Sequence, residues 1–340
     1  MIRAFRIPRA CKSPDDLRLV ELPDPHPLPG QVIVRVRAAS LNFRDHSIVT
    51  GNYPLADIDR EITPLSDGAG EVIAVGDGVA RTHVGDRVVA TFFQNIRNPR
   101  ATMPAALGVP LDGMLAEQVA LYEDGLVRVP DGYSFEQAAC LPCTGVTAWH
   151  ALFRAGKPVI PGSVVLVLGT GGVSTFALQF AHKAGARVIV TSSRDDKLQR
   201  VRALGADDGI NYLTTPEWDR EVMRLTHGAG ADCIVEVGGV GTLPRSMNAL
   251  ARGGKIALIG VLTGHHGGVN PYTLMGKGGH LHGVFVGDRT MFEEMNRAIE
   301  ATGIEPAIDR VFPFEQAIDA YEYQQSAEFV GKIVIRISEE

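Results

Sequence analysis

Val164-Val165-Leu166-Val167-Leu168-Gly169-Thr170-Gly171-Gly172-Val173-Ser174 runs from an unbroken apolar segment into a glycine-rich turn. Such a segment suits a central parallel strand, whose two faces are both covered by helices. Gly169 permits a tight turn, Gly171 lets the backbone approach a pyrophosphate, and residues 172 to 174 open a helix whose free amides favour an anion. That helix sets Val173, Phe176, Ala177, Phe180 and Ala184 on one face and stops at Gly185. Ser174 stands where the dinucleotide pattern has its third glycine, so the helix is expected slightly farther from the strand. An ordinary α/β turn also contains glycine, and the elements that follow favour nucleotide binding.

Strand and helix signals alternate from here: strands at 187–191, 210–212, 232–237 and 255–259, helices at 195–204, 217–226 and 242–250. Before residue 130 the grammar differs. Val32, Val34 and Val36 alternate with Ile33, Arg35 and Arg37, and short runs at 72–75 and 88–90 are bounded by Gly-Asp turns. Residues 93–112 read as a loop with a helical piece near 101–107. Beyond 286, helices at 289–301 and 314–326 alternate with strands at 308–312 and 332–337, and the last strand suits addition to the first sheet. The expected fold class is α/β, with a mostly β domain at 1–130, a doubly wound parallel-sheet domain at 131–286, and a return to the first domain at 287–340.

The 340 residues carry a formal net charge of −6, with 45% hydrophobic and 21% charged residues. No basic block or aromatic-basic stripe supports a nucleic-acid partner, and no segment is long and apolar enough to call for a membrane. Residues 1–20 lack the apolar core of a secretion signal, and cysteines 11, 140, 143 and 233 do not form a disulfide framework. A cytoplasmic location is expected.

After the second strand, Thr191-Ser192-Ser193-Arg194 offers no acid to the adenosine ribose of NAD. Ser192 or Ser193 is expected to cap the next helix through a Ser-x-x-Asp arrangement. Ser193 can add a hydroxyl, and Arg194 with Lys197 can neutralise a 2′-phosphate, so the sequence favours NADP (NADPH) over NAD. The competing reading of these charges is solvated surface.

The order of several segments resembles the medium-chain dehydrogenase/reductase superfamily, especially its zinc-independent quinone-oxidoreductase-like members. These segments are 39–45, Pro64-Leu65-Ser66-Asp67-Gly68-Ala69-Gly70-Glu71-Val72, Gly85-Asp86-Arg87-Val88, 141–148, the glycine turn, Leu204-Gly205-Ala206-Asp207 and Gly331-Lys332-Ile333-Val334. The resemblance implies a GroES-like catalytic domain, a Rossmann domain and an active cleft between them. Zinc-dependent relatives place a cysteine, a His-Glu pair and a second cysteine around a catalytic metal; the matching positions here are Asn42, Ser66 with Asp67, and Cys143. One thiol and a serine do not make a zinc site, so no metal is expected.

Without zinc, the substrate oxygen needs hydrogen-bond donors. By its matching position Asn42 is the first candidate to orient a carbonyl, with Tyr53 as donor or proton relay and Asp45 as an orienting group. The competing readings are loop capping for Asn42 and Asp45 and an aromatic lid for Tyr53. The resemblance places Thr144 and Thr147 near the nicotinamide and its phosphates and Tyr212 over the adenosine end; helix capping and packing are the alternatives. Gly238, Gly239, Gly260, Val261, Phe285 and Val286 follow successive strands and are expected to line the cofactor crevice. Together these imply hydride transfer from NADPH to a quinone, enone or related carbonyl compound, with a zinc-dependent alcohol dehydrogenase and a non-catalytic nucleotide-binding protein as alternatives. A homodimer is expected, through an exposed strand near 281–286.

Overall fold

A computed structural model describes residues 1–53, 60–94, 105–264 and 266–339. The chain forms two compact units, Met1–Thr144 with Asp288–Glu340, and Gly145–Gly287.

The first unit is built on a seven-stranded sheet in the order Ile308–Pro313, Lys332–Arg336, Gln31–Ser40, Asp67–Val75, Arg87–Ala90 and Leu126–Arg128, with Gln118–Tyr122 also pairing to Gln31–Ser40. The closing strand Lys332–Arg336 lies antiparallel to Gln31–Ser40, with Ile335 opposite Ala39. Its β-branched residues Ile333, Val334 and Ile335 are fully or almost fully buried, which is the stabilisation that draws the tail back to this sheet. Val32, Val34 and Val36 enter the same core as Phe5, Leu115, Phe314 and Tyr321. Ile33 is also buried, so the expected alternation holds only for the arginines.

This unit runs past the expected boundary at 131. Tyr133 donates its hydroxyl to the Ile304 carbonyl, and Ser40 donates to the Ala139 carbonyl at 2.7 Å. Both bonds tie 131–144 to the first unit rather than the second. The helical piece expected near 101–107 lies partly outside the described residues; in the described part Ala106 bridges to Phe93 as extended chain.

The second unit holds a six-stranded parallel sheet in the order Asp208–Asn211, Arg187–Ser192, Val164–Leu168, Ala231–Glu236, Leu250–Leu258 and His280–Gly283. In chain order this is 3-2-1-4-5-6, the doubly wound arrangement, with its switch point between Val164–Leu168 and Ala231–Glu236. Val165, Leu166 and Val167 have no exposed surface, as the unbroken apolar run requires. The helix Gly172–Lys183 follows, and it buries Ser174, Thr175, Leu178 and Gln179 in addition to Phe176, Ala177 and Phe180. Trp149 packs edge-on against Phe180 at 5.6 Å. Among the described residues no helix is long and apolar enough to cross a membrane.

Candidate active site

In the second unit, the turn after Val164–Leu168 puts Gly169 at φ +74°, a conformation that costs a residue with a side chain about 1–2 kcal/mol. A Cβ added at Gly171 would meet no atom within 4 Å, so a ligand can reach this backbone closely. Gly171 is the N-cap of the helix Gly172–Lys183, whose first-turn amides, including those of Gly172 and Val173, have no intrahelical partner. These residues fit a dinucleotide pyrophosphate, which they would hold through backbone N–H groups and the helix dipole. Ser174, at the third-glycine position, donates its hydroxyl to the Leu168 carbonyl at 2.7 Å. This hydroxyl joins the helix directly to the end of the strand.

At the end of Arg187–Ser192 the expected serine cap does not form. The helix Asp195–Ala203 has Arg194 as its N-cap with no side-chain cap bond, and Ser192 accepts only a long contact from the Arg194 amide at 3.4 Å. The helix begins too late in the chain for a Ser-x-x-Asp box, and Ser193 precedes the cap. The Arg194 guanidinium is half-exposed and pairs with Asp196 at 2.9 Å, whereas Lys197 is buried. Tyr212 is exposed just beyond the edge strand Asp208–Asn211.

The residues after the later strands divide. Gly238 and Gly239 donate their amides to Glu236, at 2.7 and 3.2 Å, and Thr242 and Ser246 donate hydroxyls to the same fully buried carboxylate. A Cβ at Gly260 would lie 2.4 Å from the Val237 carbonyl oxygen, so close backbone packing alone demands glycine there. Val261 and Phe285 are exposed, while Val286 is buried at φ +56° with its carbonyl 2.6 Å from His150 Nδ1. A β-branched residue in this region is strained. Thr147 is buried in the helix Val146–Trp149.

In the first unit, Asn42 precedes the helix Phe43–Val49 and is buried. The Asp45 carboxylate accepts the Asn42 backbone N–H at 2.8 Å, so Asp45 acts as half of a capping box. Burial pushes the Asp45 carboxyl up to about 6, against the pull of Arg44. The Arg44 guanidinium lies 3.6 Å from Asp45, donates to the Leu107 carbonyl at 2.9 Å, and sits 5.3 Å from the Tyr53 ring centre. Tyr53 is half-buried against the core of this unit. The side chains of Asp45 and Tyr53 thus meet on Arg44.

Asn42 belongs to a different chain of contacts. Its Nδ2 donates to Ser66 Oγ at 3.3 Å, and Ser66 donates to Asp67 Oδ1 at 2.7 Å. Asp67 Oδ2 accepts the Cys143 backbone N–H at 3.0 Å. Lys332 enters from the closing strand and donates to Asn42 Oδ1 and the Leu41 carbonyl, both at 2.6 Å, with its Nζ 3.9 Å from Asp67. Asn42, Ser66, Asp67 and Lys332 are all almost fully buried. Thr144, in the π-helical turn Leu141–Gly145, donates to the Cys140 carbonyl at 2.9 Å, which is internal bonding rather than an N-cap.

The positions that match a zinc centre do not fit zinc. Ser66 and Asp67 are spent on each other, and an ammonium already lies against Asn42 and Asp67. Among the described residues no three His, Cys, Asp or Glu side chains come together as a metal-holding group.

Sequence reading missed Lys332 and Glu236 as site-forming groups. Each is a buried charge next to an apolar run, at the start of Lys332–Arg336 and the end of Ala231–Glu236. That signal could have found them, since buried charges need specific partners.

The sequence matches the alcohol dehydrogenase GroES-like domain family over residues 28–131 and the zinc-binding dehydrogenase family over 172–301. A zinc-type alcohol dehydrogenase-like protein of Schizosaccharomyces pombe is 44% identical over 332 residues, covering 95% of this chain and 96% of that one. A quinone oxidoreductase of Pseudomonas aeruginosa is 34% identical over 270 residues, covering 79% of this chain and 77% of the relative. The crystal structure of an NAD-dependent alcohol dehydrogenase superposes with a TM-score of 0.91 at 34% identity, covering 99% of this chain and 100% of that one.

Proposed function

This chain is an oxidoreductase of the medium-chain dehydrogenase/reductase superfamily, and we propose that it reduces a quinone, an enone or a related carbonyl compound with NADPH and without zinc. The observation that carries the reading is the buried set Asn42, Ser66, Asp67 and Lys332, which offers hydrogen-bond donors and a fixed positive charge where a metal centre would need ligands. The similarity to a quinone oxidoreductase supports the acceptor class.

When bound, NADPH would supply a hydride, and one proton from solvent would complete the two-electron reduction of the acceptor. The chain's part is to bind, orient and stabilise. The turn at Gly169 and Gly171 and the following helix hold the pyrophosphate. The Asn42 amide donates to the substrate oxygen as negative charge develops on it, a role in which one donor contributes about 10²–10³ in rate. Asp45 and Tyr53, gathered on Arg44, brace the helix that Asn42 caps. Arg194 favours NADPH through the 2′-phosphate.

Single-turnover mixing of the enzyme and NADPH with quinones, enones, aldehydes and alcohols tests this reading. We expect NADPH oxidation by a quinone or enone that persists after exhaustive chelation. One tightly held zinc per chain, whose removal reversibly abolishes turnover, overturns the metal-free assignment, and failure of every acceptor overturns the catalytic one.

A further inference from the structure

We infer that Lys332 is a positioning residue for Asn42: its ammonium fixes the flip of the Asn42 side-chain amide, so that the N–H bonds rather than the carbonyl are free to serve a substrate oxygen. This rests on the proposed role of Asn42 as the donor.

An asparagine amide can be turned over with little change of shape, and only its neighbours decide which end is which. Both neighbours here give the same answer. Lys332 has only donors, and its Nζ lies 2.6 Å from Asn42 Oδ1; a flipped amide would set donor against donor. On the other side, Ser66 commits its proton to Asp67 Oδ1 at 2.7 Å, so its oxygen must accept, and Asn42 Nδ2 donates to it at 3.3 Å. The polarity therefore runs one way, from Lys332 through Asn42 and Ser66 to Asp67. The amide has two N–H bonds, and Ser66 uses one.

The same ammonium is held by the Leu41 carbonyl at 2.6 Å and faces Asp67 at 3.9 Å. A lysine 2% exposed carries a large desolvation cost. Neutralising Asp67 would be a purely structural reason to keep it; orienting Asn42 is a functional one. The two predict different couplings.

The test is a double-mutant cycle with Lys332→Met, which keeps the stem and loses the donors, and Asn42→Ala, read as kcat/KM with the best quinone or enone. We expect Asn42→Ala to lose about 100-fold, Lys332→Met to lose at least about 10-fold mainly in kcat, and the double variant to be no worse than Asn42→Ala alone. Lys332→Arg, which retains donors, should recover most of the Lys332→Met loss. Equal losses from Lys332→Met in the wild-type and Asn42→Ala backgrounds overturn the inference. A second readout needs neither turnover nor the folding of Lys332→Met. In the wild-type protein the Asn42 side-chain amide signal, assigned by its absence from Asn42→Ala, should be dispersed and slow to exchange with solvent. Rapid exchange at the rate of a free asparagine overturns the fixed orientation. If no acceptor is reduced, the donor role falls, while this amide signal still decides the positioning.

Discussion

Ser174 Oγ donates to the carbonyl oxygen of Leu168 at 2.7 Å, joining the first turn of the dinucleotide helix to the end of the strand before it. A glycine at this position would let the two elements approach; the serine binds them instead. Ser174→Ala leaves a buried carbonyl without this partner, at a cost of about 1–3 kcal/mol. Urea unfolding should show a lower midpoint at unchanged slope. Ser174→Gly should lose about 1 kcal/mol more through helix propensity. A Ser174→Ala midpoint equal to the wild type's would mean that the bond contributes nothing.

Asp45 should impose a pH dependence on stability. Its folded-state carboxyl is raised to about 6 by burial, above the value of about 3.9 in an unfolded chain. The folded state therefore holds this proton more tightly. The associated stability is full below about pH 4 and is lost as pH rises through about 6, a loss of the order of 3 kcal/mol by neutral pH. Asp45→Asn cannot titrate. Its unfolding free energy minus that of the wild type should rise between pH 4 and 7; a difference that falls over this range would give the shift the wrong sign.

What was legible in the sequence follows from how locally each feature is determined. The strand Val164–Leu168 and its turn were readable because burial on both faces and the glycine positions are written in consecutive residues. The start of the helix Asp195–Ala203 was legible, but its cap was not, because a serine cap and an arginine cap differ only in where the backbone turns. Lys332 and Asn42 are 290 residues apart in sequence, and their bond depends on the tail returning to the first sheet. The burial of Ser174 and Gln179 likewise lies outside the apolar stripe that the helix sequence shows. A periodicity within the helix cannot register a partner that comes from elsewhere.

We propose that the protein is a homodimer joined through the strand His280–Gly283. That strand ends the six-stranded order and pairs with Leu250–Leu258; Leu281 on it and Phe285 beyond its end are exposed. An open sheet edge favours pairing with a second copy. Sedimentation across a wide concentration range should give a dimer, and Leu281→Lys should weaken it at least about 10-fold, because a lysine blunts an edge. A wild-type monomer throughout that range rejects the proposal.

Cofactor choice turns on Arg194, since Lys197, its partner in the sequence reading, is buried. The guanidinium is 49% exposed and engaged with Asp196. A 2′-phosphate would have to compete with that carboxylate in solvent, so the discrimination should be modest. An exposed charge pair contributes about 0–1 kcal/mol, and about 1 kcal/mol is roughly a fivefold change in affinity. Arg194→Ala should therefore weaken NADPH binding about fivefold and leave NADH binding nearly unchanged. Tyr212→Ala is the control: loss of an exposed aromatic surface at the adenosine end should weaken both cofactors alike, because stacking does not read the phosphate. Direct fluorescence titration of each variant with NADPH and NADH measures both effects without a known substrate. The NAD-dependent alcohol dehydrogenase that superposes so closely makes the opposite outcome informative. If the NADPH-to-NADH affinity ratio is unchanged in Arg194→Ala, the missing acid after Thr191-Ser192-Ser193 does not signal NADP, and the guanidinium serves the protein's own contacts, Asp196 among them.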